Sequence, residues 1–228
     1  SKNLLQSIGF SNVKISGDTR FDRVIAILGK NNVLDFISHF TNNKKTIVIG
    51  SSWPKDESLL TYFINNSTLD TKFIIAPHNI KTEQIISLQN NCAKKVVLFS
   101  EKENKNLSEY DVFIIDTIGI LTKIYSYADI AYVGGGFGKS GVHNILEPAT
   151  FGIPIVIGPN FSHFAEATAL VNLGGCLSIT NQSELNSALN LLLTNEDIRY
   201  EKGHICSTFV QMNKGATETI FKYICEPI

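Results

Sequence analysis

The sequence predicts one α/β domain built on a doubly wound, Rossmann-like parallel sheet. Three observations carry this. Short, uninterrupted apolar runs recur along the chain and each closes on Gly, Pro, Asp or Ser; the segments between most of them have helical periodicity; and the residues just after the runs are polar or glycine-rich. Strands apolar on both faces belong inside a parallel sheet covered by helices on both sides. Their regular alternation with helices is the mark of double winding.

The predicted strands are Thr46 to Gly50, Lys72 to Pro77, Val96 to Ser100, Val112 to Asp116, Ile130 to Gly134 and Ile155 to Gly158, with a last short one at Cys176 to Ile179. Helices are predicted over 57–65, 81–89, 120–127, 144–151 and 164–173. From Ser183 onward the chain reads as helical, with an apolar stripe of Leu185, Leu189, Leu192 and Leu193. The polar stretch 101–109 reads as a solvated surface loop. Leu4, Leu5 and Ile8 look like the tail of a helix, and with Ser1 in place of methionine they suggest a piece of a longer protein. Residues 1–20 are accordingly read as an interdomain segment and 21–228 as the domain.

Composition narrows the function. A formal net charge of −1 with dispersed Lys and Arg leaves no basic stripe for a nucleic-acid backbone. Cys92, Cys176, Cys206 and Cys225 have neither zinc-ligand nor disulfide-framework spacing and read as buried free thiols. No run approaches the ~18 apolar residues of a bilayer span, and no signal-peptide pattern opens the chain.

In doubly wound sheets ligands bind beyond the carboxyl ends of the strands. The strongest signal there is Val133 to Pro154, VGGGFGKSGVHNILEPATFGIP. Glycines at 134, 135, 136, 138 and 141 allow close backbone approach, and the N–H groups of a following helix attract an anion, most often phosphate. Asn144 and Glu147 have capping-box spacing; Glu147 also suits a pair of ribose hydroxyls, as a carboxylate with two acceptor oxygens. Both accounts stay open. Gly136 to Gly141 fits G-x-G-x-x-G, but the next strand ends Ile157-Gly158-Pro159 and lacks the ribose-binding acid of a dinucleotide site. Gly138-Lys139-Ser140 echoes a P-loop, yet Val133 stands where its first glycine belongs.

The stretch GGGFGKSGVHNILEPATFGIPIVIGPNFSHF resembles the nucleotide-sugar loop and helix of GT-B glycosyltransferases, and within them the 3-deoxy-D-manno-octulosonic acid (Kdo) transferases. Supporting pieces lie in order along nearly the whole chain: GDTRFD at 17–22, Gly50-Ser51-Ser52 with Glu57, Pro77-His78, Asp116-Thr117-Ile118-Gly119, and Asn213 to Ala216. The resemblance implies the C-terminal half of a GT-B fold, binding CMP-Kdo over the strand ends. Pro77, His78, Thr117, Ile118 and Gly119 would line the cytosine pocket. Gly135, Gly136, Lys139 and Ser140 would face the phosphate. Asn144 and Glu147 would hold the phosphate end and the ribose, and Ser51 and Ser52 lie where the donor sugar projects. His143 reads either as a phosphate donor or as helix-entry packing, and His78 has a similar packing alternative. Relatives place an arginine between proline and histidine; here Pro77 meets His78 directly, and Lys81 is the nearest substitute.

The family pattern further implies transfer without a metal cofactor, in keeping with the absence of any D-x-D pair. The general base, the lipid A precursor site and the membrane-associating surface belong to an N-terminal domain outside these residues. The resemblance thus implies a donor-binding domain, inactive alone, of a cytoplasmic enzyme peripheral to the inner membrane.

Overall fold

The computed structural model describes residues 2–225. Its centre is a seven-stranded, wholly parallel sheet: β1 (Lys45–Ser52), β2 (Thr71–Pro77), β3 (Val96–Leu98), β4 (Val112–Ile114), β5 (Ile130–Val133), β6 (Ile155–Ile157) and β7 (Cys176–Ser178). The strands lie in the order β3-β4-β2-β1-β5-β6-β7. All seven fall on the apolar runs of the sequence. The winding runs outward both ways from β1, which pairs with β2 on one side and β5 on the other.

The period of two along each strand divides the core between the sheet's faces. Val48, Ile74, Phe113, Ala131 and Ile155 pack on one face with residues of α2 (Thr19–Leu28), α3 (Asp35–Thr41), α7 (Leu146–Thr150), α8 (Ala165–Leu173) and α10 (Glu196–Met212). Ile47, Ile49, Phe73, Ile75, Ile130 and Tyr132 pack on the other with α4 (Pro54–Asn66), α5 (Thr82–Asn91) and α9 (Gln182–Thr194). Each fully buried Val, Ile or Phe among them is worth about 1.5–3 kcal/mol. The remaining helices are α1 (Lys2–Ser7), α6 (Leu121–Ile124) and α11 (Ala216–Cys225). No helix among the described residues is long and apolar enough to cross a membrane.

Several local expectations shift. The residues expected to be an interdomain segment carry α1 and give way to α2 at Thr19, capped by the Asp18 side chain. Arg20 then clamps Glu166 on α8, at 2.6 and 3.2 Å. The long C-terminal helix is broken into three, with Asn181 and Asn195 capping α9 and α10. The expected solvated loop 101–109 is anchored: Leu107 is buried, and the buried Lys72 ammonium donates to the carbonyl oxygens of Ser108 and Tyr110. Cys176 and Cys206 are buried free thiols, whereas Cys92 is half-buried and Cys225 exposed.

Candidate functional site

The crevice above the carboxyl ends of β1 and β5 is the point where the strand order reverses, and it is where ligands bind in open α/β sheets. Two loops form it. One runs from Ser51 through Trp53 into α4; the other is the glycine segment from Gly134 to Ile145, joined to β1 by the Gly134 amide donating to the Gly50 carbonyl at 2.9 Å. Between them lies a cavity of about 410 Å³, walled by Trp53, Pro54, Lys55 and Asp56 on one side and Gly135, Phe137, Gly138, Lys139 and Ser140 on the other. Lys55 and Lys139 are both exposed at its rim, and among the described residues neither ammonium lies within ion-pair distance of a carboxylate.

Most of the glycines serve the protein's own packing. A Cβ on Gly134 would collide with the backbone of Ser51 and Ser52, and one on Gly136 would sit 2.7 Å from Gly158. Gly135 has φ +94° and packs against Gly141 and the His143 ring; Gly141 itself lies under Phe164. Asn160 fastens the loop from above, its amide group donating to the Gly138 carbonyl at 3.1 Å and its backbone N–H to that of Gly136 at 2.8 Å. Gly135 and the stretch 137–140 line the cavity. The glycines shape a packed loop whose tip borders the cavity.

Asp56, fully buried on the first turn of α4, holds the two loops together. One carboxylate oxygen accepts from the Trp53 and Gly135 amides at 2.9 Å each, and the other from the Tyr132 hydroxyl at 2.7 Å. Burial, with the Asp56 charge adding to it, pushes the Tyr132 hydroxyl far above its usual range, so it stays a donor. Neither Asp56 nor Trp53 was singled out in the sequence. Pro54 at the first helical position with an acid two residues on was the available signal for the helix start; nothing local announced the reach to β5.

Trp53, His78 and His143 stack. The Trp53 and His78 ring centres lie 4.4 Å apart and those of His78 and His143 4.5 Å, and the Trp53 indole N–H donates to His143 Nε2 at 2.8 Å. Burial, and then the neighbouring His78, hold the His143 imidazole below its ordinary range against the opposing pull of Asp56. Both histidines named from the sequence therefore meet, with an indole joining them.

Asn144 and Glu147 do not form the expected capping box. The helix starts at Leu146, whose amide donates to the Asn144 side chain at 3.1 Å, and the Asn144 amide group donates to Glu147 Oε1 at 3.0 Å. Thr122 on α6 donates to Glu147 Oε2 at 2.8 Å. Glu147 is thus aimed by two side chains, Asn144 from the glycine segment and Thr122 from α6, and a five-residue α7 contributes little dipole.

The other expected residues stand around this centre. Ser51 takes φ +53° at the end of β1. Ser52 is buried, with its hydroxyl donating to Glu57 at 2.9 Å, so it faces inward and not toward a projecting sugar. Burial raises Glu57 above the ordinary carboxylate range even though the Ser52 bond acts the other way. Pro77 ends β2, and the His78 amide donates to the Ser52 carbonyl at 2.9 Å. Asp116 is occupied by the Ser100 amide and hydroxyl, leaving Thr117, Ile118 and Gly119 as a turn in which Ile118 is 81% exposed. None of these three lines the cavity. Gly136 is buried beneath it, and Lys81 is exposed at the start of α5.

Two other matching segments meet outside the cavity's lining. The Asp22 carboxylate accepts from the Gly215 and Thr217 amides at 2.6 and 2.7 Å and so fastens the start of α11 to α2.

No protein-family model matches the chain. It is 29% identical over 193 residues to the 3-deoxy-D-manno-octulosonic acid transferase of Rickettsia prowazekii, covering 82% of this chain and 41% of that protein. It is 32% identical over 172 residues to the enzyme of that name from Chlamydia trachomatis serovar D, covering 72% of this chain and 39% of the relative. The chain thus spans about two fifths of the length of such curated relatives. Among solved structures, the C-terminal CMP-Kdo binding domain of WaaA from Acinetobacter baumannii superposes with a TM-score of 0.67 at 18% identity, over 85% of this chain and all of that one. UDP-GlcNAc 2-epimerase from Neisseria meningitidis, bound to UDP-GlcNAc, reaches 0.64 at 15% identity over 97% of this chain and 58% of that one. At such identities the structural likeness establishes the doubly wound GT-B-type fold, and the sequence matches establish descent: over most of its length this chain is a homologue of the 3-deoxy-D-manno-octulosonic acid transferases.

Proposed function

We propose that this chain is the donor-binding part of a Kdo transferase and that its ligand is CMP-Kdo. The observation that carries the reading is the cavity at the β1–β5 switch point, with two ammonium groups at its rim that have no carboxylate partner among the described residues, in a chain homologous to these enzymes. The leaving phosphate sits against Lys139, Ser140 and the loop tip. Lys55, which the sequence reading passed over, adds a second cation from the facing wall. Glu147, held by Asn144 and Thr122, accepts from the ribose hydroxyls. The cytosine lies toward Pro77–His78 and Thr117–Gly119.

Glycosyl transfer builds positive charge on the sugar and negative charge on the departing nucleotide, so groups placed for the second accelerate the reaction. Lys139 and Lys55 supply them here without a divalent cation. We assign the acceptor's base, the lipid A precursor site and the membrane-facing surface to the part of the relatives' length that this chain does not span, and read the complete enzyme as cytoplasmic and peripheral to the inner membrane.

Calorimetric titration with CMP and UDP, repeated in EDTA, tests the reading. CMP binds more tightly than UDP and EDTA changes nothing; tighter UDP binding removes the Kdo assignment. Lys139→Ala and Glu147→Ala each weaken CMP about tenfold or more, the scale of one charge-assisted hydrogen bond. Unchanged affinity in both makes the glycine loop purely structural.

A further inference from the structure

Trp53 lies outside every role assigned so far, yet it joins three loops. It stacks on His78 after β2, donates to His143 after β5, and itself ends the loop after β1. An indole N–H can only donate, and a neutral imidazole has one donor and one acceptor nitrogen. The 2.8 Å contact therefore makes Nε2 of His143 the acceptor and leaves its hydrogen on Nδ1. An imidazolium has no acceptor and breaks the contact.

We propose that Trp53 is a positioning residue of the donor site, which holds His143 as the neutral Nδ1–H tautomer and ties the loops after β1, β2 and β5 into one wall. The setting agrees. The titratable groups acting on His143 are His78, stacked on it from the β2 loop, and Asp56 on α4. A proton added to His143 breaks the indole bond and places a cation against His78, with Asp56 the only opposing charge among them. Burial comes first in lowering this imidazole. The sign follows: a histidine depressed in the folded state stabilises the wall above its ordinary value of 6.5 and loses that contribution as pH falls below it. Acid therefore loosens the wall from the inside. His143 then serves a bound phosphate as a neutral one-proton donor, with the site's positive charge left to the two lysines.

The role as a donor-site wall rests on the nucleotide-binding reading; the tautomer does not, and an experiment without nucleotide reads it. Long-range proton–nitrogen NMR of the imidazoles is recorded against pH for the wild-type chain and for Trp53→Phe, which keeps a ring in the stack and removes the donor. In the wild type His143 shows a pyridine-type Nε2 and a pyrrole-type Nδ1 at neutral pH. In Trp53→Phe the two tautomers mix and the His143 pKa rises by about half to one unit, the size of one lost hydrogen bond to the neutral form. A protonated Nε2 in the wild type overturns the proposal whether or not the variant folds. So does a folded Trp53→Phe with unchanged tautomer and titration. CMP titration of the same two proteins reads the wall: several-fold weaker binding by Trp53→Phe at pH 7 is expected, and equal affinity overturns the positioning role. Failure of CMP to bind the wild type overturns the donor-site role together with the donor reading, and leaves the tautomer result standing.

Discussion

Replacing Asp56 by alanine removes an acceptor that serves three buried or half-buried donors: the Trp53 amide, the Gly135 amide and the Tyr132 hydroxyl. An unsatisfied buried donor costs about 1–3 kcal/mol. The Trp53 amide, at a helix start beside the cavity, regains water, whereas the Gly135 amide and Tyr132 hydroxyl lie behind residues that are fully buried. Two stranded donors at about 1.5–2 kcal/mol each give about 3–4 kcal/mol. That is a large part of the 5–15 kcal/mol that holds a domain folded. Urea unfolding followed by far-UV circular dichroism measures it, and Asp56→Asn, which keeps one acceptor oxygen, is expected to lose roughly half as much. A loss below about 1 kcal/mol in Asp56→Ala refutes the placing of this carboxylate at the centre of the two loops.

Gly136→Ala puts a methyl group 2.7 Å from Gly158, where the three nearest atoms are all its backbone and nothing flexible can yield; the glycine loop shifts outward, and CMP affinity drops at least tenfold in calorimetry while the sheet stays folded by circular dichroism. Thr122→Val frees one Glu147 oxygen and is expected to weaken CMP several-fold with little change in melting temperature. The two amides on Asp22 hold its carboxyl below the ordinary aspartate range, so its contribution is present above that range and is lost as pH falls through the depressed value. Asp22→Asn removes about 1 kcal/mol at neutral pH, as a lost helix cap does, and the gap from wild type closes in acid unfolding below pH 4.

The sheet was legible because a strand buried on both faces must be apolar at every position, and such runs stand out without knowledge of their neighbours. Helices were less so. The sequence Thr19 to Leu28 has an Asp18 cap and an amphipathic face, but GDTRFD drew attention as a family motif and its helix start went unread. Leu107 and Lys72 show another limit. A lysine in an apolar strand and a leucine in a charged loop each contradict local expectation, and only the contact between their segments explains both.

The glycine loop shows how a sequence pattern can point to a segment and leave its packing unread. Closely spaced glycines after a strand say that backbone must come near something, and the sequence reading made that something a ligand. In the fold, Gly134 yields to the β1 loop, Gly136 to Gly158, and Gly141 to Phe164. The cavity's facing wall comes from side chains elsewhere, Lys55 and Trp53 at the α4 start, and Glu147 is held by Thr122. Thr122 lies 25 positions from Glu147 and Trp53 90 from His143, and no local pattern joins them. Parallel β1 and β5 do so by lying side by side, which is why the same switch point that fixes the fold also assembles the site.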